Sequence, residues 1–418
     1  MYQSTSPEDG DQANSLLSSA AGLIVTSGLK GLTLRSVAQN SGVSPSLPSY
    51  RYGSREKLLV EIFRHARAQE EAAWARRTGQ LGQLASQPGQ LASLALAIAA
   101  EVISRAPDTA MLGWIGSTAA ERHPALRPVM ADWPVLASAF WAAQFENMGM
   151  DPELAPAFAA GLGGAIRIGL LSGADARLKV WMNDVVRRLC ERITGAPASA
   201  PGDSPARMSL ERLRTGRPET PPDSRTDTPQ RILDAASALI LSHGPEALTH
   251  RLIARESGIA LSSMTHHFRS IDEIMFSAFD RIYDRASRES RAGLPQSNTI
   301  DSLSTEILPA LFERSRQRGA ESIAMDEIIL VSSRSSGTLP IAGALLAMTG
   351  RTSTVLLQSV DVATKRADRL DGQIFRFVLT GLSDQAAILP EADRPAWITG
   401  HSRRFLHACW TSDDETNS

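Results

Sequence analysis

The chain repeats itself. The stretch LTLRSVAQNSGVSPSLPSYRY, Leu32 to Tyr52, aligns without a gap with LTHRLIARESGIALSSMTHHF, which begins 216 residues further on at Leu248. Thr33 pairs with Thr249, Arg35 with Arg251, Ala38 with Ala254, Ser41-Gly42 with Ser257-Gly258, Ser46 with Ser262, and Tyr52 with Phe268. A pattern carried twice has to be accommodated twice, so any fold proposed for this chain must house two versions of one small device.

Each version reads as a helix, a tight turn and a second helix. Thr33 and Thr249 suit an N-cap, where a hydroxyl accepts from the exposed amides of the first turn. Val37-Ala38 and Ile253-Ala254 supply the buried face, with an alanine small enough to let a second helix cross closely. Gly42 and Gly258 stand where the chain turns sharply and positive φ is cheap only for glycine. Val43 and Ile259 plug the angle between the helices. This is the helix-turn-helix pattern, whose second helix enters the major groove of DNA.

The flanks repeat as well. A helical stripe of Leu16, Leu17, Ala20, Leu23 and Ile24, ended by Gly28, is answered by Ile232, Leu233, Ala236, Leu239 and Ile240, ended by Gly244-Pro245. After the turn, Leu58, Leu59, Ile62 and Phe63 match Ile274, Met275, Ala278 and Phe279, and Ser270 to Glu273 has the form of a capping box. Trp181 and Arg187-Arg188 match Trp397 and Arg403-Arg404 at the same offset, which favours duplication of an entire unit.

Both segments resemble the DNA-binding domain of the TetR (tetracycline-repressor) family. The resemblance is carried by the preceding helix with paired alanines, the LT-x-R opening, the A-x-x-S-G-[VI] turn and the [RH]-[YF]-x-S close. It implies an all-α chain of two TetR-like units, each a three-helix head plus a helical regulatory core, arranged as a pseudo-dimer; a homodimer of chains is the other assembly. The expected domains are a disordered tail (1–11), a first head (12–66), a first core (67–195), a flexible Pro/Ser/Gly-rich linker (196–227), a second head (228–282), a second core (283–411) and a tail (412–418). In the family the last two long helices of each core pack into a four-helix interface. Gly161, Gly163 and Gly164 are expected to receive Phe375 and Phe377 there.

Composition limits the alternatives. Strand signals are scarce beside Ala, Leu, Arg and Glu, in keeping with an all-α reading. The formal net charge of −2 does not by itself argue for nucleic acid. Cys190 and Cys409 are the only cysteines, which fits a reducing compartment, and the polar start MYQSTSPEDGDQ has no signal-peptide pattern. The longest apolar run, Leu94 to Ala100, is too short for a bilayer, so a cytoplasmic protein without a membrane partner is expected. No Ser-His-Asp order, zinc spacing or glycine-rich phosphate loop stands out, so neither an enzyme nor a metal or other cofactor is expected. His266-His267 are adjacent on a helix and point about 100° apart, a poor arrangement for one ion.

The candidate site residues follow from the helix-turn-helix pattern. In the first copy the reading helix is expected over Ser44 to Tyr50, capped by Ser44 with Pro45 at its first position. Pro48 removes the first backbone bond and favours a bent or 3₁₀ helix. Ser46, Ser49 and Tyr50 face the groove, while Thr33, Arg35, Arg51 and Arg55 hold phosphates. In the second copy the reading helix spans about Leu261 to His266. Ser262, Ser263, Thr265 and His266 face the bases, and Thr249, Arg251, His267 and Arg269 lie toward the backbone. The family's basic residue at the head of the next helix is kept as Arg55 and lost as Ile271. Its usual tyrosine in the reading helix is Ser49 here and Thr265 in the second copy.

From Lys30 to Lys57 there are five basic residues and one acidic; from Glu246 to Glu273 there are three and four. The first copy should therefore dominate electrostatic attachment, and the second, with His250, His266 and His267, should tune the site and bind better in mild acid. Trp114, Trp133 and Trp141, with Met111 and Phe140, are candidates to line an effector cavity, plain core being the commoner role for such residues. Glu121, His123, Asp326, Glu327 and Arg334 read as solvated polar positions. The expected function is a repressor of double-stranded DNA targets, released by a small molecule of unknown identity and reading an asymmetric operator. The alternative is a helical ligand- or partner-binding protein whose heads no longer bind DNA, a reading favoured by Pro48 and the near-neutral charge.

Overall fold

The computed structural model describes residues 7–82, 84, 86–173, 175–197, 202–215, 227–291, 299–317, 319–334, 338–360 and 367–410. Among them all regular structure is helical, as the sequence leads one to expect. The first half runs α1 (Pro7–Gly31), α2 (Leu34–Ser41), α3 (Ser46–Tyr52), α4 (Arg55–Leu81), α5 (Leu91–Arg105), α6 (Pro107–Ala119), α7 (Arg127–Met130), α8 (Leu136–Asn147), α9 (Ala155–Leu170) and α10 (Ala176–Thr194). Then come α11 (Pro205–Thr215), α12 (Thr228–His243), α13 (His250–Ser257), α14 (Leu261–His267) and α15 (Ile271–Arg291). The remainder is α16 (Ile300–Ser302), α17 (Leu308–Gln317), α18 (Gly319–Ser333), α19 (Leu339–Met348), α20 (Arg351–Gln358), α21 (Arg369–Gln385) and α22 (Arg394–Trp410).

The turn chemistry read from the repeat is present at both places. Thr33 accepts from the Ser36 amide at 2.9 Å, and Thr249 from the Leu252 amide at 3.2 Å. Gly42 (φ 66°, ψ 25°) and Gly258 (φ 65°, ψ 25°) have the same left-handed conformation. In each case the following residue bonds back five positions, Val43 N to Ala38 O at 3.0 Å and Ile259 N to Ala254 O at 3.2 Å, closing the helix end. Upstream, Gly28 (φ 74°, ψ 176°) and Gly244 (φ 79°, ψ 160°) break α1 and end α12 in nearly the same backbone shape. Helical geometry resumes for a few residues beyond Gly28, so α1 continues past that break to Gly31.

Packing divides the chain into two compact units, each discontinuous in sequence. One comprises Met1–Leu170, Leu189–Ala196 and Phe377–Phe405; the other comprises Leu171–Arg188, Pro197–Arg376 and Leu406–Ser418. Contacts thus do not follow the sequence order of head, core, linker, head and core.

In unit 1, Leu16, Ala20 and Ile24 of α1 and Leu58, Leu59, Ile62 and Phe63 of α4 are buried and pack together. Further on, Trp74, Phe140, Trp141, Phe145 and Phe158 make a run of tilted and edge-on ring contacts between 4.7 and 5.4 Å. The small-residue face of α9 works as expected at one position. A Cβ on Gly164 would lie 2.1 Å from Phe377 Cγ, so only glycine admits that ring. The other partners differ: Gly161 meets Leu189 and Val378, Gly163 has nothing within 4 Å, and Phe375 is buried in unit 2.

In unit 2, Ile232, Ala236 and Ile240 of α12 pack with Ile274, Met275, Ala278 and Phe279 of α15. Ile274, Met275, Ala278, Phe279 and Ile282 of α15 are buried at the positions of Leu58, Leu59, Ile62, Phe63 and Ala66 of α4, whereas Phe276, Tyr283 and Ser287 are buried only in α15. Ser270 accepts from the Glu273 amide at 3.1 Å, but the Glu273 carboxylate turns to the Arg269 amide at 2.8 Å, so the expected capping box is only half closed.

The expectation of a flexible linker over 196–227 is corrected in its middle. Positions 198–201 and 216–226 lie outside the described residues, but Pro205–Thr215 is a helix packed on α19. Ala206 and Leu210 are buried, and between them Arg207, only 2% exposed, bonds Asp203, Glu211 and the Ala347 carbonyl (2.7 Å). Arg207 and Glu211 are neighbours on one face of α11, and Asp203, two residues before its start, reaches the same guanidinium. The expected tail 1–11 is outside the described residues as far as position 6, and from Pro7 the chain is already helical. The tail 412–418 lies outside them altogether. Asp326, read as solvated, is 5% exposed and accepts from Arg376 Nη2 at 3.0 Å.

Candidate nucleic-acid interface

The second helix of each pair is held by one inward-pointing residue. In α14 this is Met264, fully buried; in α3 it is the aligned Pro48, also buried. That accounts for a proline inside a short helix. Lacking an N–H, Pro48 cannot bond Ser44 O, and Leu47 N takes that carbonyl instead at 3.0 Å in a tighter, 3₁₀-like turn. The ring itself fills the anchor position. The α3 boundaries differ from expectation: the helix starts at Ser46 and runs to Tyr52. Ser44 makes no cap; its hydroxyl lies 2.9 Å from that of Ser46. The second helix closely matches its expected span, Leu261–His267.

The outward faces carry the candidate residues. Ser44, Ser46, Ser49, Thr33 and Arg35 are exposed, and Tyr50 is 90% exposed, far more than an apolar ring usually is unless it meets something. In the second segment Thr249, Arg251, Ser262, Thr265, His266 and Arg269 are exposed, while Ser263 and His267 are half-buried. The His266 and His267 rings stand 5.4 Å apart, centroid to centroid, edge to face. Ala254, expected in the buried face, is only half-buried.

One candidate arginine is tied into the fold, and so is an arginine that was not a candidate. Arg55 is half-buried at the head of α4, and its guanidinium donates to Leu32 O at 2.7 Å and Leu29 O at 2.5 Å. It ties α4 to the segment joining α1 and α2, a structural duty that competes with phosphate. In the second segment, where Ile271 replaces it, Arg231 of α12 donates to Ser257 O at 2.7 Å, at the end of α13. Sequence reasoning missed Arg231 because its partner position in the first copy is Ser15, so the repeat offered no signal.

Unit 1 also contains a cavity of about 180 Å³, reached by the same α4 whose first turn serves the head. Of the expected lining residues, Trp114, Trp133 and Trp141 line it, together with Trp74 and Glu70, whereas Met111 and Phe140 do not. No single helix among the described residues is long and apolar enough to cross a membrane.

Residues 232–278 match the family model described as "Bacterial regulatory proteins, tetR family". The matched span covers α13 and α14 with most of α12 and the start of α15. The chain therefore carries a TetR-type helix-turn-helix domain there, which points to DNA binding and to a transcriptional regulator, a class that is typically not enzymatic. No curated protein matches the chain.

Proposed function

We propose that the chain is a ligand-responsive repressor whose two non-identical helix-turn-helix segments read the two halves of one asymmetric operator. The observation that carries this is the matched domain at 232–278, whose reading helix presents Ser262, Thr265 and His266 to solvent. The first segment is read as a second head of the same kind. Its support is the near-identical backbone at Gly28 and Gly244, Thr33 and Thr249, and Gly42 and Gly258. We assign base contact to Ser46, Ser49 and Tyr50 in one head and to Ser262, Ser263, Thr265 and His266 in the other. Phosphate contact falls to Thr33, Arg35, Arg51, Thr249, Arg251, His267 and Arg269, with Arg55 acting as a strut behind them.

The effector would bind the unit 1 cavity. Glu70 and Trp74 on its wall lie 15 and 19 residues along α4 from Arg55, about 22 to 28 Å along one rod. A ligand that prefers one setting of α4 would alter the head only by its difference in affinity between settings.

A footprint on the DNA upstream of the chain's own gene, with a solution mass measurement, tests the reading. Two unlike half-sites and one chain per operator are expected; a perfect palindrome would overturn it. Arg35→Ala should weaken binding to all sequences alike and lower the salt slope by about 1, while Tyr50→Ala should relax base preference at its own half-site. Unchanged preference in Tyr50→Ala would show that the groove-facing side of α3 is misassigned.

A further inference from the structure

The unit 1 cavity has a charge pattern that its apolar walls do not call for. The indoles of Trp74, Trp114, Trp133 and Trp141 line it, and Glu70 brings a carboxyl among them. Glu70 competes with Glu101 for Arg77. The Arg77 Nε donates to Glu101 Oε2 at 3.0 Å, whereas its Nη1 stands 3.9 Å from Glu70 Oε1. Two carboxylates thus face one guanidinium, and the bond goes to Glu101. The Glu70 Oε2 is left buried without a hydrogen-bond partner, and so is the Trp141 Nε1–H. Burial pushes the Glu70 carboxyl above its ordinary range, with the charge of Arg77 and a hydrogen bond from the Trp74 side chain drawing it partway back.

Orphaned buried polar atoms are rare because each forfeits its hydration. Here an acceptor and a donor are left open on the wall of one cavity. Arg167 and Asp384 also line it, but they pair with each other at 3.4 Å and cancel. We propose that this cavity binds a small protonated amine with an apolar, aromatic-sized body and one acceptor oxygen. The ammonium donates to Glu70 Oε2 and neutralises the excess carboxylate, the indoles cover the body, and the Trp141 N–H donates to the oxygen; the Trp74 and Trp114 rings already carry the Arg77 and Arg167 guanidinium groups, 4.5 and 5.4 Å from their centroids, so the carboxylate holds the cation. A hydrocarbon would fill the same space and leave both polar atoms open. An anion would oppose Glu70. A volume of about 180 Å³ is roughly six water volumes, which sets the size class. The proposal rests on the effector reading of unit 1 only for its consequence on DNA.

The test uses the full chain and three probes: 4-methoxyphenethylamine, 4-propylanisole, in which a methyl replaces the ammonium, and 3-(4-methoxyphenyl)propanoate. Binding is read by calorimetry and tryptophan fluorescence. The amine is expected to bind at least about tenfold more tightly than 4-propylanisole, the span of one charge-assisted hydrogen bond, and the propanoate least. Glu70→Gln should erase the amine's advantage and leave 4-propylanisole unchanged. Equal binding of amine and 4-propylanisole by the native chain, or undiminished amine binding by Glu70→Gln, would overturn the proposal. If Glu70→Gln does not fold, the native chain's ranking of the three probes decides. Amine binding of the expected kind with no change in DNA affinity would leave the cavity assignment standing and remove the regulatory reading instead.

Discussion

Alanine at Gly164 will destabilise unit 1 by about 2–3 kcal/mol, whereas alanine one position earlier, at Gly163, will stabilise it. In an exposed helix either change would gain up to roughly 1 kcal/mol, because glycine is a poor helix former. At Gly163 nothing lies within 4 Å of the new methyl, so that gain survives. At Gly164 the methyl would fall 2.1 Å from Phe377 Cγ and 2.4 Å from its Cβ. Those atoms are the root of the ring, and they cannot swing away without moving the backbone of α21. The overlap therefore outweighs the propensity gain. Urea unfolding of the two variants checks the opposite signs. Phe377→Ala empties a buried site and should itself cost about 3–5 kcal/mol, and the double variant should lose less than the two single losses added, because the colliding ring is gone although the Cβ at 2.4 Å stays; a Gly164→Ala variant as stable as the parent would show that the close approach is not tight.

The second large effect is expected at Arg207. Arg207→Met should destabilise unit 2 by about 3–5 kcal/mol, because it leaves Asp203 and Glu211 without the buried cation that they share. Burial alone would draw Arg207 downward, but Asp203 and Glu211 more than compensate and hold the guanidinium above its ordinary value. Burial likewise pushes Glu211 upward, and its bonds from Arg351 and Arg207 prevail and hold it below the ordinary carboxylate range. A carboxylate lowered in this way stabilises fully above its unfolded-chain value and loses that contribution as pH falls through the lowered one. Acid should therefore loosen α11 first. Arg255→Ala is the contrast: its pair with Glu256 is solvent-exposed on both sides, and a change within about 0.5 kcal/mol is expected. Hydrogen exchange of α11 amides and thermal unfolding would separate the two cases, and equal small effects would mean that the buried network is not coupled to folding.

These two sites also mark how far the sequence could be read. Local chemistry was legible: Thr33, Gly42, Thr249 and Gly258 have few ways of being satisfied, and each took the expected one. The Gly164–Phe377 fit was legible in kind, because a cluster of glycines in an apolar helix must admit something large. Its exact partners were not, since Leu189 and Val378 at Gly161 depend on helix register, which no local pattern encodes. The α11 helix was hidden by composition. A Pro-, Ser- and Arg-rich surround masked the alternating charges at 203, 207 and 211, and burial of an arginine is not what its polarity suggests. The site divided in the same way. Trp114 and Trp141 could be named as cavity residues from their bulk, whereas Glu70 could not, because its significance lies in a shortage of partners that only packing reveals. Arg55 reads as a phosphate contact in the sequence, and packing adds two carbonyl partners, Leu29 and Leu32, that no local pattern announces.

The aligned anchors Pro48 and Met264 have one further consequence. A proline ring has almost no internal freedom, whereas a methionine can settle in several ways within the same space. The anchor of α3 is therefore the stiffer of the two, and that of α14 the more adaptable. In the proposed regulator this would divide the labour unevenly: one half-site would be held to a strict spelling, while the other could drift over generations without loss of control. Joining the two readers in one gene is what lets such inequality persist, since an ordinary symmetric pair would impose every change on both halves at once.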